Sequence, residues 1–196
     1  MEPLPVTASV TTPTRIDRAL VLDTAAGLAD EHGFENLTLA MVAGELGIRS
    51  QSLYSHVEGI DGLREGLALR AQALLADELR DAAMARTGVA ALRSVVRALA
   101  DFASDHPGLY RASLRPPEAS PEMRTANEHT VAPLMAVLES FGLEGEDLQH
   151  HYRIIWSSVH GFVTLRQAGL LRWPADPEAS FELLLDMFAR QLEATR

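Results

Sequence analysis

The chain has 196 residues, 47% of them apolar and 22% charged, with no cysteine. The missing cysteine excludes disulfide scaffolds, thiolate metal sites and cysteine nucleophiles, and no run approaches the roughly 18 apolar residues of a membrane-spanning helix. Seventeen arginines and no lysine face 27 acids, a formal charge of −10, which opposes the counterion release that drives nucleic-acid binding.

Residues 1–12 are rich in Pro, Thr and Val without periodicity and read as a flexible arm. Residues 1–14 lack both a basic start and an apolar core, so no secretory signal is expected and the expected location is cytoplasmic. From Pro13 the pattern is helical almost throughout. Thr14 followed by Asp17 resembles a capping box. Ile16, Ala19, Leu20, Ala25, Leu28 and Ala29 then trace an apolar stripe that Gly33 ends. Alternating β-branched runs bounded by turns are missing, so the expected class is all-α.

Residues 38–57 read TLAMVAGELGIRSQSLYSHV. Thr38 can cap a first short helix whose apolar face holds Val42 and Leu46. Ala43 is small enough for a second helix to cross closely, and Gly47 stands where the turn needs positive φ. Ile48 and Leu53 then bury the second helix against the first. This is the helix-turn-helix arrangement. The outward residues of the second helix are Arg49, Ser50, Gln51, Ser52, Tyr54, Ser55 and His56, and the only acid between Thr38 and Val57 is Glu45. Arg49 can pair bidentately with guanine and Gln51 with adenine. The serine hydroxyls, the tyrosine hydroxyl and the imidazole can donate to phosphate. Tyr54 and His56 can also finish packing a small core while their polar tips stay wet, a lesser reading that is compatible with the first.

Further helices are expected over about 61–85, 89–105, 109–114, 120–141, 145–170 and 176–194, with a kink at Pro133. The expected organisation is a helix-turn-helix unit over 13–60 and a helical domain over 61–196, joined by the long helix that begins near Asp61. On the helix around Trp156, a large face (Tyr152, Trp156, Val159, His160, Val163) separates from a small one (Ser157, Gly161, Thr164, Ala168). The last helix offers Phe181, Leu184, Leu185, Phe188 and Leu192. We expect the small face and the last helix to form a four-helix dimer interface. The Trp156 face would then look inward, onto an effector cavity completed by Phe102, Tyr110, Met123, Asn127 and Thr130. Phe102, Met123 and Trp156 also read as plain core, and His160 as a satisfied core histidine. The adjacent His150 and His151 point to different sides of a helix. No His-x-x-x-His or acid–histidine cluster suggests a metal, a cofactor or catalysis.

Leu46-Gly47-Ile48 followed by Ser52-Leu53-Tyr54-Ser55-His56-Val57, with Gly33-Phe34 and Leu37-Thr38 before them, closely resembles the tetracycline-repressor (TetR) family of transcriptional regulators. Trp156-Ser157-Ser158-Val159-His160-Gly161 resembles the Trp–His–Gly signature of one of its C-terminal subgroups. The resemblance implies a homodimer on a double-stranded DNA operator, with recognition helices in successive major grooves and a C-terminal domain that binds a small-molecule effector. It places Thr38, Arg49, Ser52, Tyr54 and His56 at positions that touch DNA. Two departures stand out. Ile60 replaces a lysine that commonly reaches phosphate, and a basic residue common just after the turn is absent at Ser50. A helical interaction module without DNA binding is the alternative, since residues 1–70 carry 5 arginines and 10 acids.

Overall fold

The computed structural model describes residues 15–116 and 119–195. Among these the chain is all-α, with nine helices and no strand. They are α1 (Arg18–His32), α2 (Leu39–Glu45), α3 (Ser50–Leu53), α4 (Gly59–Ala83), α5 (Gly88–Asp105), α6 (Pro107–Ser113), α7 (Pro121–Glu139), α8 (Gly145–Gln167) and α9 (Pro177–Ala194). Every expected helix is present, with ends shifted by a few residues. Asp17 caps α1, its carboxylate accepting the Leu20 N–H at 2.9 Å, whereas Thr14, the other half of the expected capping box, and the expected arm at 1–12 lie outside the described residues. The buried stripe of α1 is Val21, Ala25, Ala26 and Ala29, and Ala19 faces solvent. Pro133 does not break α7, which runs through it to Glu139.

The 25 residues of α4 make a rod about 37 Å long at about 1.5 Å per residue. Leu63, Leu67, Ala71, Leu75 and Leu79 are buried along it, and α1, α5, α6 and α7 all pack on it. The rod also buries a polar residue, Gln72. Its Nε2 donates to the Ser113 carbonyl of α6 at 2.7 Å. The Thr130 hydroxyl of α7 lies 3.0 Å from the Gln72 main-chain oxygen and also contacts its side-chain oxygen. One buried amide thus ties three helices.

A second tie joins the N-terminal helices to the rest. The Asp30 carboxylate, near the end of α1, accepts the N–H groups of Gly108 and Leu109 at 2.8 and 3.0 Å, and lies 3.2 Å from His106 Nδ1. These donors belong to the first turn of α6, which lacks internal partners for them. The approach is close because residue 108 has no side chain: a Cβ there would sit 2.1 Å from the Ala29 carbonyl oxygen.

At the other end of the chain, α9 lies on α5 and α8 through Phe181, Leu185, Ala189 and Leu192. Arg93 pairs with Glu182 and Asp186, and Arg97 with Glu178 and Glu182, along the rim of this contact. Partly exposed pairs of this kind contribute little each, so apolar burial holds α9 in place.

The contact at residue 108 is the sharpest steric constraint in the fold. Gly108→Ala should destabilise the chain by about 1–3 kcal/mol through overpacking, read as a lower denaturant midpoint. Gly44→Ala, where an added Cβ meets no atom within 4 Å, should be neutral or slightly stabilising.

Candidate nucleic-acid interface and the C-terminal cavities

The segment 38–57 folds as its sequence dictates. The Thr38 hydroxyl accepts the Met41 N–H at 3.2 Å and starts α2. Val42 and Ala43 are buried on the inner face. Gly47 takes φ +68°, the left-handed value that a side chain resists. The Ile48 N–H then returns to the Ala43 carbonyl at 2.9 Å and closes the turn. Arg49, with extended backbone, stands at the N-cap of α3.

The second helix is a single turn, shorter than its sequence suggests, and a hydrogen-bonded turn prolongs it: the His56 and Val57 N–H groups both reach the Leu53 carbonyl at 2.9 Å. Leu53 and Val57 are buried and pin this unit to the chain. Arg49, Ser50, Gln51, Ser52, Tyr54 and Ser55 are exposed, and His56 is half-buried. Tyr54 is 63% exposed, so it projects from the surface and does not complete the core. The Ser55 hydroxyl donates back to the Ser52 carbonyl at 2.7 Å, which leaves its lone pairs outward. The result is one face that offers a guanidinium, an amide, hydroxyls and an imidazole without a carboxylate among them.

The residues expected around an effector separate into groups. The Tyr110 hydroxyl meets His160 Nδ1 at 3.0 Å, linking α6 to α8. Tyr152 and Trp156 stack with ring centroids 5.7 Å apart. Together with Val131, Met135 and Arg153 they line a cavity of about 360 Å³ between α7 and α8. Burial raises the Tyr110 and Tyr152 phenols well above their ordinary value, so both stay neutral. Phe102, Met123 and Thr130 are corrected to core: all three are buried, and the Thr130 hydroxyl is occupied at Gln72. Asn127 is half-buried on α7. A larger cavity, about 560 Å³, lies at the far end of α4 against α7 and contains none of the expected residues. Its alanine-rich lining gives no signal in sequence beyond helix propensity.

The expected dimer residues also separate. Ser157 and Thr164 of α8 and Ala168 at its C-cap are exposed, and Gly161 of α8 is half-buried. Leu184 and Phe188 are half-buried. Phe181 and Leu185 are corrected: they are 2% and 1% exposed because they pack inside their own chain, out of reach of a second copy. The apolar residues that do face outward are Leu183 and Met187 on α9, 63% and 66% exposed, with Ile154 and Leu165 on α8. Three consecutive leucines, 183–185, conceal this frame in the sequence, because a helix turns about 100° at each residue.

A helix-turn-helix unit carried on a long helix that continues into a helical bundle is the architecture of a DNA-binding regulator. Comparison with known proteins gives the family. Residues 92–188 match the family described as "Tetracyclin repressor-like, C-terminal domain". The uncharacterised HTH-type transcriptional regulator Rv0681 of Mycobacterium tuberculosis is 32% identical over 165 residues, spanning 83% of this chain and 76% of its own. YobS of Bacillus subtilis, also an uncharacterised HTH-type transcriptional regulator, is 31% identical over 153 residues, 76% of this chain and 78% of its own. Among solved structures, ActR of Streptomyces coelicolor in complex with (S)-DNPA has the same fold, with TM-score 0.67, 22% identity, and coverage of 92% and 98% of the two chains. The chain belongs to the TetR family and is a transcriptional regulator of that type. Such regulators are not enzymes as a family. No described helix is long and apolar enough to cross a membrane.

The Thr38 cap sets where α2 begins and hence where the turn falls. Thr38→Ala should cost about 1 kcal/mol of stability and speed hydrogen exchange at the Met41 amide, while Thr38→Ser should retain both.

Proposed function

We propose that the chain is a ligand-responsive repressor that acts as a homodimer and leaves its operator when a small molecule binds in the C-terminal domain. The observation that carries this reading is the acid-free, donor-rich face over 49–56, mounted on the same rod, α4, that borders the 560 Å³ cavity of the C-terminal region. The proposed units are the helix-turn-helix region, 13–60, and the effector and dimer domain, 61–196.

Arg49, at the N-cap of α3, and Gln51, in its first turn, are the proposed base readers, since N-terminal residues of a recognition helix meet base edges. Thr38, Ser50, Ser52, Tyr54 and His56 are proposed to fix the helix on phosphates, whereas the Ser55 proton is already given to the Ser52 carbonyl. Two copies would address half-sites about one helical turn apart, roughly 34–36 Å. Effector binding would tilt α4 and change the separation of the recognition helices. A coupling of about 1–3 kcal/mol between the two sites is the usual scale. The Tyr152–Trp156 cavity and the larger one beside α4 are the candidate entry points, with Tyr110 and His160 between the α6 and α8 walls. The proposed dimer face is Leu183 and Met187 of α9 with Ile154, Gly161 and Leu165 of α8, flanked by Ser157, Thr164, Ala168, Leu184 and Phe188.

Titration of intergenic DNA beside the gene, followed by fluorescence anisotropy, tests the DNA reading. The native chain should bind a palindromic site, and Arg49→Ala should lose about 1–3 kcal/mol of affinity and relax the sequence preference. Equal affinity and preference in that variant would remove Arg49 from the readout. Light scattering after size exclusion tests the interface. At micromolar concentration the native chain should elute at twice its 21.3 kDa mass, and Leu183→Glu with Met187→Glu should elute as a folded monomer.

A further inference from the structure

The 560 Å³ cavity opens between the last turn of α4, the α4–α5 turn and α7. Its apolar lining is Ala83, Ala91, Ala132, Pro133, Ala136 and Val137. Leu134 and Leu138 of the same α7 turns face the core with Leu75 and Leu79 of α4; on the side toward the cavity, small side chains leave the space open. The volume falls within the roughly 300–1,000 Å³ of small-molecule sites.

The charge around the cavity is one-sided. Arg80, Arg86 and His129 line it, and no acidic residue does. Arg80 shares its charge with Asp77, one turn back at 2.6 Å. Arg86 donates to the main-chain carbonyls of Ala82 and Met84, at 3.0 and 3.4 Å. Among the described residues it pairs with no carboxylate. In a chain of net charge −10, this leaves a guanidinium with an open anion position at the mouth of an apolar space. A guanidinium takes a carboxylate through parallel hydrogen bonds, and the exposed Arg86 stands where an incoming head group can reach it.

We infer that this cavity binds a small amphipathic carboxylate, with its head on Arg86 and Arg80 and its apolar body along the alanines and Pro133 of α7. The inference rests on the proposed effector response and gives that response a site and a ligand class. Charge complementarity decides the occupant: a cation meets two arginines, and a neutral chain makes no charge-assisted bond with Arg86.

The test uses the full chain, calorimetry and three probes of one length: decanoate, decanamide and decyltrimethylammonium. Decanoate should bind once per chain, decanamide at least tenfold more weakly, and decyltrimethylammonium not at all. Arg86→Gln should weaken decanoate at least tenfold and leave decanamide unchanged. Ala132→Phe, at an exposed position of α7, should fill the space and abolish decanoate binding while circular dichroism reports an unchanged fold. No decanoate binding to the native chain, equal binding of acid and amide, or decanoate affinity untouched by both substitutions would overturn the assignment. Operator release is scored separately. Decanoate that binds here without releasing DNA keeps the site and removes its effector role. Release that persists in both variants keeps the effector response and overturns the site.

Discussion

The structure depends on one rod buried along its length. From Leu63 to Leu79 the inner face of α4 is sealed by α1, α5, α6 and α7, and the burial is apolar except at Gln72. An unpaired amide at that depth would cost several kcal/mol, about 2–7 by transfer. Its partners come from two different helices, the Ser113 carbonyl of α6 and Thr130 of α7. Sliding either helix by a turn would remove those partners, so the polar contact fixes a register that a purely apolar seam leaves loose. Burial of leucines makes α4 stable, and Gln72 determines where its neighbours stop.

The DNA unit is attached to this frame at two points. One is α4 itself, continuous from Gly59, and the other is Asp30 holding the first turn of α6. Glu35 reinforces the second point, pairing with Arg111 of α6 at 3.1 Å while its main-chain oxygen accepts from Arg64 of α4. A unit attached at a single point could swing freely, and its orientation would report little about a distant cavity. With two attachments, the proposed displacement of α4 relative to α6 would be carried to the recognition turn through both contacts. On the proposed reading, the short α6 and its contact at Gly108 serve as the fulcrum of the response.

The helices and the helix-turn-helix segment were legible because their signals are local: a 3.6-residue apolar period, the cap at Thr38 and Gly47 at a left-handed turn, although the cap of α1 is Asp17 itself and not the third residue of a box begun at Thr14. The residues that line cavities were less legible because tertiary placement decides them. Phe102 and Met123 are apolar at the right spacing whether they face a ligand or a core, and the packing puts them in the core. Thr130 read as a polar group for a ligand, but its partner is Gln72, 58 positions away in the chain. On α9 the stripe was correctly apolar but assigned to the wrong side, since Phe181 and Leu185 turn inward and Leu183 and Met187 turn outward.

The acidity of the chain takes a different meaning once the acids are located. Glu45 and Glu58 stay exposed beside the helix-turn-helix segment, but four acids before it have partners within the protein: Asp17 caps α1, Asp23 pairs with Arg70, Asp30 holds α6 and Glu35 pairs with Arg111. Their charge is therefore balanced by arginines or by main-chain N–H groups at the attachment of the unit, away from the face over 49–56. That face carries a single formal charge, on Arg49, and otherwise neutral donors. Association with a duplex through such a surface releases few counterions, so directional hydrogen bonds must supply both its position and its sequence preference. A net charge of −10 thus excludes binding by bulk attraction and leaves room for binding that depends on shape and donor placement.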